Sequence, residues 1–173
     1  MEKKLHHAPT WNDYVQRLSV LLTALEATDS DGAVLEPMEA YRQWTMRTLS
    51  TREHCAVFLV GNGASATMAS HFATDLTKSA RIPAHVFTDA ALLTAVGNDI
   101  GYEDCFAEPL RWHMRPGSLL IAISSSGNSP NIINACLAAR ELGGFLITLS
   151  ASRPDNAIRP LGALNFYLPA PTY

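Results

Sequence analysis

The chain has 173 residues, 47% hydrophobic and 17% charged, with a formal net charge of −3. That length suits one domain, and that apolar share supplies a core and excludes intrinsic disorder. The charge balance leaves no footprint for nucleic acid, and apolar runs of about six residues fall far short of the roughly 20 that cross a bilayer, so no nucleic acid and no membrane are expected as partners. Residues 1–7 are not followed by the apolar stretch of a signal peptide, and the chain reads as cytoplasmic. Cys55, Cys105 and Cys136 are odd in number, far apart and free of any C-x-x-C spacing. They read as free thiols, not as a disulfide or a cysteine zinc site.

Residues 10–28 read as an amphipathic helix, with Tyr14, Leu18, Leu21, Leu22 and Leu25 on one stripe. Asp29-Ser-Asp-Gly32 breaks it. A second helix is expected over 36–50. From residue 55 the pattern changes to apolar runs that end in glycine or serine and lead into helices. The runs 55–60, 84–88, 119–123, 145–149 and 164–168 read as strands buried on both faces. Between them, helices are expected over 64–78, from a cap at Asp89 to about Val96, over 102–113 with Pro109 as an interruption, and from an N-cap at Ser129 to Leu142. Alternating strands and helices predict an α/β fold. Its expected form is a five-stranded parallel sheet with helices on both faces, a flavodoxin-like or Rossmann-like three-layer sandwich, preceded by two N-terminal helices. The whole of 1–173 reads as one domain, with 10–50 as the leading helices and 55–170 as the α/β core.

Ligands of open parallel sheets bind beyond the carboxyl ends of the strands. Two strand-to-helix junctions there carry the chemistry. Gly61-Asn62-Gly63-Ala64-Ser65 follows the first strand, and Ser124-Ser125-Ser126-Gly127-Asn128-Ser129 follows the third. Hydroxyls, backbone N–H groups and a helix N-terminus converge on an anion well, and glycine lets the backbone come close. Ser, Gly and Asn are also common in plain turns. Two such junctions side by side favour a bound phosphate ester over that plainer explanation.

These residues carry a resemblance. Gly61–Ser65, Asn98-Asp99 and Ile123–Ser129 resemble the sugar isomerase (SIS) domain family, and their order and spacing are similar to those of the phosphoheptose isomerases. Those enzymes interconvert sedoheptulose 7-phosphate and D-glycero-D-manno-heptose 7-phosphate. The resemblance implies phosphate-binding positions at Ser65, Ser124, Ser125, Ser126, Asn128 and Ser129, with Asn62, Gly63, Asn98 and Asp99 lining the pocket. It implies proton transfer by His71 and Asp75, which lie four residues apart on one helix face, and makes the same pair candidate zinc ligands. It also implies a homotetramer packed through the leading helices, a place in the synthesis of cell-surface heptose, and no nucleotide cofactor. Two features depart from the family. Asp75 stands where a glutamate is usual, which draws the carboxylate back by roughly 1.5 Å, one C–C bond. The family's closing helix, which bears a further histidine, does not follow Pro169–Tyr173.

Two other functions remain open on the sequence. One is a sugar-phosphate sensor or a regulator of replication initiation, binding without converting. The other is a dinucleotide-dependent dehydrogenase, since Gly61, Gly63 and Ala66 fit a loose dinucleotide fingerprint; that reading leaves the serine loop without a role. Among the remaining histidines, His54 and His113 read as boundary residues and His85 as part of a short strand.

Overall fold

The computed structural model describes residues 9–170. The stretch 1–7, read above as lacking a signal peptide, and the last three residues lie outside the described residues. Helix α1 (Trp11–Thr23) opens the chain. Thr10 caps it through a reciprocal box: its hydroxyl accepts from the Asp13 N–H, and the Asp13 carboxylate accepts from the Thr10 N–H. The helix ends five residues earlier than its apolar pattern suggested. There the chain turns into a hairpin, β1 (Glu26–Asp29) and β2 (Val34–Leu35). Asp29 closes the hairpin, its Oδ1 accepting from the N–H groups of Asp31 and Ala33 at 2.9 Å each. Gly32 takes the positive φ of +79° that the turn needs. The segment read as a simple break is therefore a turn between strands.

Helix α2 (Pro37–Ser50) leads into the alternating part: β3 (Val57–Gly61), α3 (Ala64–Lys78), β4 (Ala84–Val86), α4 (Ala90–Asp99), α5 (Ala107–His113), β5 (Leu119–Ser124), α6 (Pro130–Glu141), β6 (Phe145–Ala151) and β7 (Leu164–Leu168). Asp89 caps α4 as expected, accepting from the Leu92 N–H at 3.1 Å. The single helix expected over 102–113 is instead a 3-10 turn, Tyr102–Asp104, followed by α5.

The five expected strands are all present and mutually parallel, in the order β7-β6-β5-β3-β4. The expectation of a five-stranded, purely parallel sheet is nevertheless wrong. The sheet has seven strands and is mixed, because β1 pairs antiparallel with β7, and β2 with β1. Glu26-Ala-Thr-Asp29 carries no apolar run, so this polar strand, lying between β2 and β7, leaves little trace in the sequence. Alternation along the strands feeds two cores. Leu120 and Ala122 of β5 join Phe58, Val60, Leu110, Ile132 and Ala135 beneath α4, α5 and α6. Leu119, Ile121 and Ile123 join Val57, Leu59, Ala69, Ala73 and Leu76 beneath α2 and α3. This is the three-layer arrangement that continuous apolar strands predict.

Helix α1 stands apart. It buries none of its residues, and Trp11, Tyr14, Leu18 and Leu22 are all exposed.

Candidate functional site

β3 and β5 are neighbours, with Gly61 in register with Ile123. Their carboxyl-end junctions therefore sit side by side. Asn62, Ala64, Ser65, Ile123, Ser124, Ser125, Ser126 and Ser129 line one cavity of ≈ 270 Å³. The two serine-bearing junctions thus share a single space.

The serine loop is shaped from within. Ser124 Oγ accepts from the Gly127 N–H at 3.1 Å, and Ser126 Oγ accepts from the Asn128 N–H at 3.3 Å. Gly127 has φ +63°, and a Cβ there would fall 2.1 Å from Asn156 Oδ1. Asn156 is buried and belongs to the segment after β6 that buttresses the loop. The Ile158 N–H donates to the Gly127 carbonyl at 3.1 Å, and the Ala157 N–H to Asn128 Oδ1 at 3.0 Å. Among the described residues, the hydroxyls of Ser65, Ser125 and Ser129 make no hydrogen bond within the protein, although Ser129 occupies the N-cap of α6. They are left free for a ligand. The α6 N-terminus adds the positive end of a 12-residue helix.

A second cavity, ≈ 780 Å³, adjoins the first and shares Ala64 and Ile123 with it. Trp44, Met68, Phe72 and Leu149 make it largely apolar, and His71 and Asp75 lie on its α3 wall. His71 Nε2 is 3.4 Å from Asp75 Oδ2, and both side chains are well exposed. The pair is therefore formed, on one face of α3, as its four-residue spacing requires.

Not every sequence candidate reaches the site. Asn98 and Asp99 end α4 on an exposed surface, bound to each other at 2.7 Å, and they line neither cavity. Asn128 turns its carbonyl to the buttress, away from the cavity. Gly63 sits at the N-cap of α3 with φ +55° and open space around it, which suits close approach of a ligand to the backbone. A catalytic zinc takes three protein ligands and an open position. His71 and Asp75 supply two, and among the described residues no cluster of three His, Cys, Asp or Glu side chains exists. The donor set present does not fit such a site.

Sequence reasoning missed Asn131, which is buried in the first turn of α6 and paired with Asn62, and it missed the apolar walls contributed by Trp44, Met68 and Phe72. A polar residue directly after Ser129-Pro130 was the available signal for the first. The second had none, since α2 meets α3 only in three dimensions. No helix among the described residues is long and apolar enough to cross a membrane.

Comparison with known proteins gives a consistent set of relatives. The model of the SIS domain matches residues 13–151. A phosphoheptose isomerase of Aliarcobacter butzleri is 39% identical over 141 residues, which cover 78% of this chain and 73% of that protein. A phosphoheptose isomerase of Rhodospirillum rubrum is 40% identical over 111 residues, covering 61% of this chain and 59% of its own length. The match thus takes in less than two thirds of some relatives. The solved phosphoheptose isomerase of Neisseria gonorrhoeae superposes with a TM-score of 0.66 at 28% identity, over 94% of this chain and 89% of that one.

Proposed function

The chain belongs to the SIS domain family, and from that premise we propose that it is an aldose–ketose isomerase acting in the cytoplasm on sedoheptulose 7-phosphate, which it converts to D-glycero-D-manno-heptose 7-phosphate for cell-surface heptose. One observation carries this reading. A hydroxyl-rich cavity at two strand tips opens into a groove that holds a histidine–carboxylate pair.

The phosphate sits among Ser65, Ser125, Ser129 and the N-terminus of α6, with Ser124 and Ser126 holding the loop around it. The distance then suits a long sugar. His71 lies six residues beyond Ser65 on α3, about 9 Å at 1.5 Å per residue. Seven bonds separate the phosphorus of a 7-phosphate from C2, and an extended chain of that length also spans roughly 9 Å. A three-carbon phosphate would stop short of the pair.

The chemistry is a proton shift between adjacent carbons. Asp75 takes the proton from C1 and leaves an enediolate with its charge on O2. His71 moves the hydroxyl proton from O1 to O2, and Asp75 returns its proton to C2. One C–H bond breaks at C1 and one forms at C2, and the carbonyl moves from C2 to C1.

The uncovered apolar stripe of α1 supports assembly into a homo-oligomer, which we place at a tetramer; light scattering on the purified protein measures this directly. To test the activity, the protein is mixed with sedoheptulose 7-phosphate and the aldose product is followed by NMR, with and without added zinc. Absence of turnover in both conditions rejects the reading. The shorter Asp75 in an exposed pair favours, as the second reading, a sensor that binds sugar phosphates unchanged. Tight binding without conversion is its signature.

A further inference from the structure

The two strand tips are joined by a pair of side-chain amides. Asn62 follows β3, and Asn131 lies in the first turn of α6, beyond the serine loop of β5. Asn62 Nδ2 donates to Asn131 Oδ1 at 2.9 Å, and Asn131 Nδ2 donates back to Asn62 Oδ1 at 2.9 Å. The second N–H of Asn131 donates to Cys105 Sγ at 3.5 Å. Asn131 and Cys105 are both buried, and burial pushes the Cys105 thiol up, so it stays a neutral partner.

This arrangement has a specific consequence for Asn62. An amide nitrogen carries two N–H groups. Asn131 uses both of its own, whereas Asn62 uses one and keeps the other. Asn62 lines the phosphate cavity and Asn131 does not. Rotating the Asn62 amide by half a turn would set N–H against N–H and oxygen against oxygen across the pair. Asn131 therefore fixes which end of the Asn62 amide is the donor, and it ties the spacing of the two tips to a pair of partly buried hydrogen bonds.

We propose that Asn131 is a positioning residue for the phosphate: it touches no ligand, and acts by holding the Asn62 amide, and with it the two loop tips, in the phosphate-binding arrangement. The proposal rests on the sugar-phosphate reading of the cavity. It predicts a loss expressed in binding, because the proton-transfer pair lies on α3, away from Asn131.

The test uses inorganic phosphate and sedoheptulose 7-phosphate against the full chain and its Asn131→Ala, Asn62→Ala, doubly substituted and Asn131→Asp variants. Asn131→Ala should raise both the Kd for phosphate and the KM for the sugar about tenfold, as for one buried hydrogen-bonded group, with kcat held within about threefold. The double variant should be no worse than Asn62→Ala alone. A Kd within about twofold of the parent, or losses that multiply in the double variant, would overturn the proposal. Asn131→Asp keeps the shape and covers the case in which the alanine variant does not fold. Its ionised carboxylate accepts from Asn62 but cannot donate back, whereas the protonated acid can do both. Burial at this position lifts the new carboxyl above its ordinary range, so the ratio of its KM to that of the parent, which cancels titration of the ligand, should fall toward one as the pH drops from about 8 to about 5. A flat ratio refutes the positioning role. If the parent protein itself binds no phosphate, the sugar-phosphate reading fails and takes this inference with it; if the parent binds phosphate and the variants bind it equally well, this inference alone fails.

Discussion

Gly127→Ala tests the architecture of the serine loop most sharply. At φ +63° an L-residue pays a backbone penalty of about 1–2 kcal/mol. The new methyl would also lie 2.1 Å from Oδ1, 2.4 Å from Cγ and 2.7 Å from Cβ of Asn156, so a swing of the amide tip alone does not relieve the clash. Asn156 is buried and its side chain makes three hydrogen bonds, donating to Ser150 Oγ at 3.1 Å and to the Arg153 carbonyl at 2.8 Å, and accepting from the Arg159 N–H at 3.2 Å. Displacing it costs about 1 kcal/mol for each bond lost. The sum is about 4 kcal/mol, a large share of a typical folding stability. For a chain of this size it should lower the Tm by roughly 10 °C or more. Urea unfolding and thermal melts read both quantities. Introduced into an Asn156→Gly background, the same substitution should cost only the backbone part, about 1–2 kcal/mol. A loss below about 1 kcal/mol in the parent, or equal losses in both backgrounds, would refute the idea that Asn156 braces the loop through Gly127.

Other predictions divide the site by role. Asp75→Asn should lower kcat by about 10²–10⁴ while leaving phosphate affinity within a few fold, as expected for loss of a general base; steady-state kinetics beside calorimetry separate the two, and an unchanged kcat removes Asp75 from the mechanism. Ser65→Ala, Ser125→Ala and Ser129→Ala remove hydroxyls with no internal partner, so each should leave the urea midpoint nearly unchanged, within about 0.5 kcal/mol, yet weaken phosphate binding several-fold. A serine whose loss destabilises the fold without touching affinity is structural. Burial pushes the Cys136 thiol up to about 12 from 9.0. Below pH 9 the thiol is protonated in both states and this contribution to stability is intact. As pH rises from 9 toward 12 the unfolded chain ionises while the folded one resists, so stability falls. Cys136→Ala should flatten that alkaline decline, measured as urea midpoints at about pH 8 and about pH 10.5.

The five parallel strands were legible because each is an apolar run buried on both faces, and such runs stop where a glycine or serine must meet the next helix. Leu119–Ser124, buried throughout, is the clearest case. The antiparallel hairpin was not legible. Glu26-Ala-Thr-Asp29 buries only Ala27 and Thr28, and its pairing with β7 depends on residues far along the chain. The serine loop and the His71–Asp75 pair could be placed from spacing alone, because one follows a strand end and the other obeys the helical repeat. Asn98 and Asp99 illustrate the limit. Their proximity to the pocket was implied by family pattern, and within this chain they close α4 on an outer surface.

The pairing of β1 with β7 also bears on how the chain is made. Asn165 Nδ2 reaches back to the carbonyl of Thr28, 137 residues away, and Arg159 reaches back to Glu26. On a ribosome, residues 26–29 emerge early and can pair with 34–35, but their other side must wait for 164–168. Contacts so distant in sequence form late and slow folding. The first strand to be synthesised is thus among the last to be docked, and until then its backbone must be kept from pairing elsewhere.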